Sequence, residues 1–139
     1  MIEYPTLDDI DGSRLLDVSR DVVSVVREGL PVYSFDRVRS ALGVPAGTLG
    51  DVLGLAPRTL TRRRAEGRLA PDESDRLVRT ARLVELAVAV FEDAEAAAAW
   101  MSAPSSLLGG ESPLAHSDTT PGAREVEDML YAIEYTAPA

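Results

Sequence analysis

The sequence predicts an all-α protein, and three observations support that prediction. Prolines stand where helices would begin and glycines where they would end, so the two residue types divide the chain into segments of helical length. Apolar residues within these segments recur every three or four positions. No segment shows the alternation and the aromatic content that are typical of strands. We therefore expect a helix-turn-helix in the N-terminal region, joined by a long central helix to a helical C-terminal region.

Four helices are predicted in the first half of the chain, over residues 13–28, 34–42, 45–53 and 57–66. Ser13 is expected to be the N-cap of the first helix, because its hydroxyl can accept a hydrogen bond from a free backbone N–H. Gly54 lies between the third and the fourth helix, where a tight turn is expected. Residues 45–67 therefore have the layout of a helix-turn-helix.

Three helices are predicted in the second half, over residues 71–91, 94–101 and 121–135. Asp93 and Thr120 are expected to cap the last two, and one helical turn is expected after Pro113 in the loop between them. The central helix has apolar residues at alternating steps of four and three, namely Leu77, Ala81, Val84, Val88 and Phe91. The apolar surface of this helix and that of the helix over 13–28 are together larger than one layer of helices buries easily. We therefore predict a homodimer, in which a second copy covers the remaining apolar surface.

The boundary between the two regions is expected at Pro71, which gives an N-terminal region over 1–70 and a C-terminal region over 71–139. The hydrophobic content of 45% and the charged content of 27% are those of a soluble globular protein. No apolar run approaches the roughly 18 residues that span a membrane, and the N-terminus lacks the blocks of a signal peptide. We expect a cytoplasmic protein that does not contact membranes.

The residue types present exclude several kinds of catalytic chemistry. The chain has no cysteine and no lysine, so thiolate, Schiff-base and P-loop lysine chemistry are absent. Gly109 and Gly110 follow no predicted strand, which argues against a nucleotide-binding loop, and His116 stands alone in a polar segment. Glu125 and Asp128 share a helix that has no histidine to complete an ordinary metal site. We expect no enzymatic activity, no metal and no cofactor.

Charge is distributed unevenly along the chain. The net charge is −9, yet the stretch "RTLTRRRAEGRLAP" at 58–71 contains five arginines and one acid. Between residues 58 and 82 there are eight arginines and four acids. This asymmetry indicates two surfaces with two different partners.

The arginines fall on the second helix of the predicted helix-turn-helix, which in this motif enters the major groove of DNA. The helical period places on one outward face Arg58, Thr59, Arg62, Arg63 and Glu66. We predict that the first four contact DNA, because guanidinium groups pair with phosphates and with guanine edges. Arg64 lies towards the rim and is expected to support the fold. The alternative is a solvated helix face whose arginines neutralise an acidic neighbour.

Two motifs that follow one another in the chain resemble those of the Xre/ParS/MbcA antitoxins, the partners of RES-domain toxins. The first is "LGLAPRTLTRRRAEGRLAPDESDRLVR" at 53–79. The second is "AAAAWM", followed by "LGGESPL" and by "TPGAREVEDMLYAIEY". The resemblance covers about 35–135. The chain departs from the usual "GGRTPLELL" pattern, because Glu111 stands where arginine is frequent and His116 where an apolar residue is usual.

This resemblance implies a protein with two activities. The C-terminal region would bind and neutralise a RES-domain toxin, an enzyme that consumes NAD or uses it for ADP-ribosylation. The N-terminal region would bind operator DNA, as a homodimer, and repress the operon of the pair. From the residues alone, a stand-alone transcriptional regulator with a partner-sensing C-terminal region remains the alternative.

We predict that toxin contacts lie in the glycine loop and in the last helix, at Gly109, Gly110, Pro113, Glu125, Asp128, Leu130, Tyr131, Glu134 and Tyr135. The acids suit the arginines that a NAD-binding pocket needs for phosphate, and surface tyrosines favour interfaces. The apolar stripe of Val126, Leu130 and Ile133 is explained equally well by core packing. We also expect that a chain stopped before Gly122 still folds but no longer neutralises toxin.

Overall fold

A computed structural model describes residues 7–136. The predicted N-terminal region, 1–70, therefore begins outside the described residues, and the predicted C-terminal region, 71–139, ends outside them. Within this range the α-helices are, in chain order, α1 (Ser13–Leu16), α2 (Val22–Glu28), α3 (Tyr33–Leu42), α4 (Ala46–Leu53), α5 (Pro57–Glu66), α6 (Pro71–Phe91), α7 (Ala94–Ser102), α8 (Pro113–His116) and α9 (Thr120–Thr136). Short 3-10 turns cover Leu7–Asp9 and Ser106–Leu108. The described residues form no strand, only one isolated bridge between Pro31 and Arg68, and the all-α prediction is confirmed. None of the helices in this range has the length and apolar character needed to cross a membrane.

The helix predicted over 13–28 is two helices, α1 and α2, that are separated by a break. Asp17 ends α1 with a backbone φ of 58°, in the left-handed region that short polar side chains tolerate better than apolar ones. Asp21 then starts α2, because its side chain accepts a hydrogen bond from the N–H of Val23. Ser13 is not the cap that we expected. It is the first residue of α1, and its own N–H donates to the carboxylate of Asp11 at 2.9 Å.

Of the capping residues predicted for the later helices, one is confirmed and one is wrong. Asp93 caps α7 as predicted, by accepting a hydrogen bond from the N–H of Glu95. At the start of α9, Thr119 takes the role that we assigned to Thr120. Its hydroxyl accepts a hydrogen bond from the N–H of Gly122 at 3.0 Å.

Helix α6 forms the centre of the fold and packs against α1, α2, α3, α4, α7 and α9. Its inner residues Leu77, Ala81 and Leu86 are completely buried, which explains why this helix is apolar on more than one side. Near its C-terminus the apolar surface is only partly covered. There the ring of Phe91 lies 5.7 Å from that of Trp100, the single tryptophan, on α7.

The last helix also belongs to the core, because the side chains of Val126 and Leu130 are completely buried. Gly122 approaches the end of α8 so closely that a side chain there would collide with the carbonyl oxygen of His116. The burial of α9 argues against the expectation that a chain stopped before Gly122 keeps its fold. Such a chain would expose the apolar surface on α6 that α9 covers.

Candidate nucleic-acid interface and C-terminal surface

Helices α4 and α5 are joined by a tight turn that fixes their relative orientation. Gly54 adopts a left-handed conformation at the end of α4, and the N–H of Leu55 donates to the carbonyl of Gly50 at 2.8 Å. A Cβ atom on Gly50 would lie 2.7 Å from the carbonyl oxygen of Leu55, so only glycine fits at this close approach. Leu60 buries the inner face of α5 against the core. The opposite face of α5 is thereby held outward.

The side of α5 that faces away from Leu60 includes five exposed residues, Arg58, Thr61, Arg62, Ala65 and Glu66. Two of them, Arg58 and Arg62, are among the predicted DNA contacts. Thr61 was not predicted, although the helical period places it one turn before Ala65 on the same face. Thr59 lies on the shoulder of this face and is only partly exposed.

Arg58 and Arg62 are the arginines of α5 that the fold leaves available. Arg58 makes no hydrogen bond or ion pair with any residue in the described range. Arg62 makes one loose contact, 3.8 Å from its Nε to the carboxylate of Glu66, and its side chain is 61% exposed. A guanidinium in this state has lost little of its hydration to other protein groups and can pair with a phosphate or a guanine edge.

Arg63, also a predicted DNA contact, is engaged within the fold. Its Nε and Nη2 donate to the two carboxylate oxygens of Glu73 at 2.8 and 3.0 Å, and only 17% of its side chain is exposed. These hydrogen bonds raise the pKa of Arg63. Burial pushes the pKa of Glu73 upward, but the hydrogen bonds from Arg63 and from the N–H of Ala70 outweigh it and leave that pKa below 4.5. The pair ties α5 to the first turn of α6.

Arg64 is held in the same manner on the other side of α5, as the sequence suggested. It donates two hydrogen bonds to the carboxylate of Asp36 on α3, at 2.8 and 2.9 Å. Its guanidinium also lies 6.0 Å from the ring centre of Phe35. The hydrogen bonds from Arg64 lower the pKa of Asp36. Of the three consecutive arginines, only Arg62 therefore points away from the fold.

The glycine loop between α7 and α8 is a closed turn held by backbone hydrogen bonds. The N–H of Ser105 donates to the carbonyl of Glu111 at 2.9 Å, and the N–H of Gly110 donates to the carbonyl of Ser105 at 2.9 Å. Gly109 and Gly110 have φ angles of 66° and 93°, which favour glycine, and the space around both is open. Their backbone is therefore exposed at the surface, whereas Pro113, two positions beyond Glu111, is buried.

His116 connects this loop to α9. Its Nε2 lies 2.6 Å from the carboxylate of Glu125, and its Nδ1 lies 3.8 Å from that of Glu111. The hydrogen bond with Glu125 raises the pKa of His116 above 6.5, against a smaller opposing effect of burial, and Glu111 acts in the same direction. The single histidine thus joins two carboxylates that both remain more than half exposed.

The predicted toxin contacts on α9 fall on both of its faces. Leu130 is completely buried, so its stripe with Val126 is explained by core packing. Glu125, Asp128, Glu134 and Tyr135 are exposed, and Tyr135 is exposed by 83%. Tyr131 is half-buried, beside the ion pair of Arg82 with Glu127.

That ion pair connects α9 to the rest of the molecule. The guanidinium of Arg82 donates to both oxygens of Glu127, at 2.6 and 3.0 Å, and to the carbonyl of Ile10 at 3.0 Å. Arg79, one turn earlier on α6, donates to the hydroxyl of Thr120 and to the carbonyl of Asp118. Among the residues that the structure describes, no group of three or more metal-binding side chains lies close enough to hold an ion.

Two family models match successive parts of the chain. Residues 21–82 match the family described as the antitoxin Xre-like helix-turn-helix domain. Residues 86–135 match the family described as the antitoxin Xre/MbcA/ParS C-terminal toxin-binding domain.

Three curated relatives carry the same name, Antitoxin Xre. The protein from Yersinia enterocolitica is 36% identical over 124 residues, which cover 86% of this chain and 84% of the relative. The protein from Photorhabdus laumondii is 32% identical over 114 residues, which cover 81% of this chain and 77% of the relative. A protein from Pseudomonas putida is 42% identical over 65 residues, 47% of this chain and 41% of the relative.

Proposed function

The chain belongs to the family of Xre-like antitoxins, which join a helix-turn-helix domain to a C-terminal toxin-binding domain, and from that premise we propose two activities for it. It neutralises a RES-domain toxin by direct binding, and it represses the operon of the pair through α5. It acts as a homodimer in the cytoplasm and has no enzymatic activity of its own.

The exposed face of α5 is the observation that supports DNA binding. Leu60 packs α5 against the core, while Arg58, Thr61 and Arg62 face outward. Two arginines provide few phosphate contacts for one subunit, so useful affinity requires two half-sites and hence two copies of α5. The partly covered apolar surface around Phe91 and Trp100 is a candidate for the contact between the two subunits.

The charge of the C-terminal half supports the binding of a toxin with a basic pocket. Between residues 83 and 136 there are ten acids and one arginine, whereas the central segment is basic. The acids Glu125 and Asp128 are exposed on α9, and Glu125 is joined through His116 to Glu111 beside the glycine loop. A toxin that binds NAD needs positive charge for the pyrophosphate, and α9 offers carboxylates to that charge.

One experiment tests the neutralisation directly. The chain is co-expressed with the product of the adjacent gene, which the proposal requires to be a RES-domain toxin, and cell growth and co-purification are measured. We expect wild-type protein to protect cells and Asp128→Arg to protect them poorly, because the substitution reverses a charge on the outer face of α9. Asp51→Arg makes the same change at an exposed site on α4 and serves as the control. If wild-type protein neither binds the toxin nor protects cells, the antitoxin proposal fails.

DNA binding is tested separately with fluorescently labelled promoter DNA and purified protein, both free and in complex with toxin. Binding should weaken steeply as salt rises, by about 0.9 log units per log unit of salt for each phosphate contacted. Wild-type protein that ignores its own promoter in both forms at low salt would show that α5 has another role.

A further inference from the structure

The apolar side chain of Leu107 is exposed to solvent and is not buried in the core. Its residue is 81% exposed at the tip of the turn between α7 and α8, while the next residue, Leu108, packs against the core. Three other large apolar residues in the described range are also mostly exposed, and they are Val23, Tyr33 and Tyr135. Leu107 is the aliphatic one among them that falls in the segment matched by the toxin-binding family.

The backbone that carries Leu107 is held by hydrogen bonds within the turn. The backbone hydrogen bonds within the turn include Ser105 N–H to Glu111 O at 2.9 Å, Gly110 N–H to Ser105 O at 2.9 Å, and Glu111 N–H to Leu108 O at 3.2 Å. A leucine on a closed turn loses less conformational freedom on binding than one on an open loop, so more of its burial contributes to affinity. The turn thus holds the exposed side chain of Leu107 in a conformation ready for binding.

We propose that Leu107 is the apolar anchor of the toxin interface and inserts into an apolar pocket on the toxin. Glu111, at the base of the turn, and Glu125, joined to it through His116, face basic residues at the rim of that pocket. This assignment rests on the proposed antitoxin function and adds to it the residue on which toxin binding centres.

The charge around Leu107 selects the toxin over a second copy of this chain as the occupant. Both carboxylates beside the turn are more than half exposed, at 57% for Glu111 and 62% for Glu125. A symmetric contact between two copies would bring these acids towards the same acids of its partner, and like charges brought together in an interface are costly. A partner with positive charge around an apolar pocket meets both features at once.

The test compares full-length variants for their affinity to the purified product of the adjacent gene, the toxin that the proposed function requires, by calorimetry or biolayer interferometry. We expect Leu107→Ser to weaken binding by roughly ten- to a hundredfold, as loss of a central interface residue does. Leu107→Met keeps the apolar volume and should bind within a few-fold of wild type. Val23→Ser removes another exposed apolar side chain, from α2, and should leave toxin affinity unchanged.

Folding and assembly are measured on the same variants. Thermal unfolding of Leu107→Ser should match wild type, because the side chain makes few contacts in the free protein. Wild-type affinity for toxin in Leu107→Ser would overturn the proposal. A loss of the dimer in that variant alone would also overturn it, since the leucine would then belong to a contact between copies. If wild-type protein binds no toxin, the antitoxin function itself fails, and all variants will be equally inert.

Discussion

Two neighbouring arginines on α5 should respond to substitution in opposite ways. Arg62 is exposed and is held only by a loose contact with Glu66, whereas Arg63 is bound through two hydrogen bonds to Glu73. We predict that Arg62→Ala impairs DNA binding and leaves stability unchanged, and that Arg63→Ala impairs stability first. A double substitution of both arginines would confuse the two effects.

The size of each effect follows from the contacts. If Arg62 meets one phosphate in each subunit of a dimer, its loss should reduce the slope of log affinity against log salt by about 1.8. Exposed substitutions of this kind change the free energy of unfolding by less than about 0.5 kcal/mol. Arg63→Ala leaves the carboxylate of Glu73, whose side chain is 9% exposed, without its guanidinium partner. Loss of the hydrogen bonds to a buried carboxylate costs about 1–3 kcal/mol, which lowers the melting temperature of a domain of this size by roughly 4–12 °C.

The pH dependence of the Arg63 effect has a definite sign. The folded-state pKa of Glu73 lies below 4.5, so its contribution to stability is present above pH 4.5 and is lost as pH falls through the folded pKa. The difference in melting temperature between wild type and Arg63→Ala should therefore shrink as the solution is acidified below pH 4.5.

Thermal unfolding is followed by the fluorescence of Trp100, which is buried in part against Phe91. DNA affinity is measured by fluorescence anisotropy over a series of salt concentrations, at a temperature where both variants are folded. The reasoning is refuted if Arg63→Ala unfolds like wild type and loses as much DNA affinity as Arg62→Ala. In that case the Arg63–Glu73 pair opens readily, and Arg63 contacts DNA.

Three further substitutions, and one exposed control, test the buried and titrating groups. Burial and nearby Asp11 raise the pKa of Glu85, so Glu85→Gln should increase the melting temperature at pH 7–8, and the gain should vanish as pH falls below 4.5. The pKa of His116 is raised above 6.5, so its contribution to stability is full below pH 6.5 and is lost as pH rises through the folded pKa. Wild type should therefore lose more melting temperature than His116→Gln between pH 6 and pH 8. Leu130→Ala, in the core, should cost about 2–5 kcal/mol of unfolding free energy in urea titrations, against less than about 0.5 for exposed Tyr135→Ala. Equal stability of the last two would contradict the placement of α9.

The helices could be predicted from the sequence because their boundaries are local signals. The caps and breakers that start or end α3 to α7 lie next to the residues that they control, and the carboxylate of Asp93 is an example. The break between α1 and α2 was missed although it also has a local signal. The apolar stripe continues from Leu16 to Val22 across the break, and its periodicity predicted one continuous helix. Asp17 and Asp21, two residues that favour helix ends, were the signal that the helix breaks there.

The state of the arginines on α5 could be predicted only in part, because their partners lie on other elements. The helical period separates Leu60 from the exposed face, but it places Arg62 and Arg63 on that face together. Only the structure shows that the first turn of α6 brings Glu73 within hydrogen-bonding distance of Arg63. The burial of Leu130 could not be predicted for the same reason, because an apolar stripe in the sequence looks the same whether it packs in the core or binds a partner.

The two activities proposed for the chain depend on one continuous structure. Arg82 on α6 contacts Ile10 on the N-terminal side and Glu127 on α9 simultaneously, and the core residues of both halves form a single cluster. A change on the inner face of α9 therefore lowers the stability of the whole chain and impairs both activities together. A change on the outer face, at Asp128, alters one surface and leaves the core intact. Toxin binding and DNA binding can thus be separated only by substituting exposed residues, because removal of α9 would expose the core that supports α5.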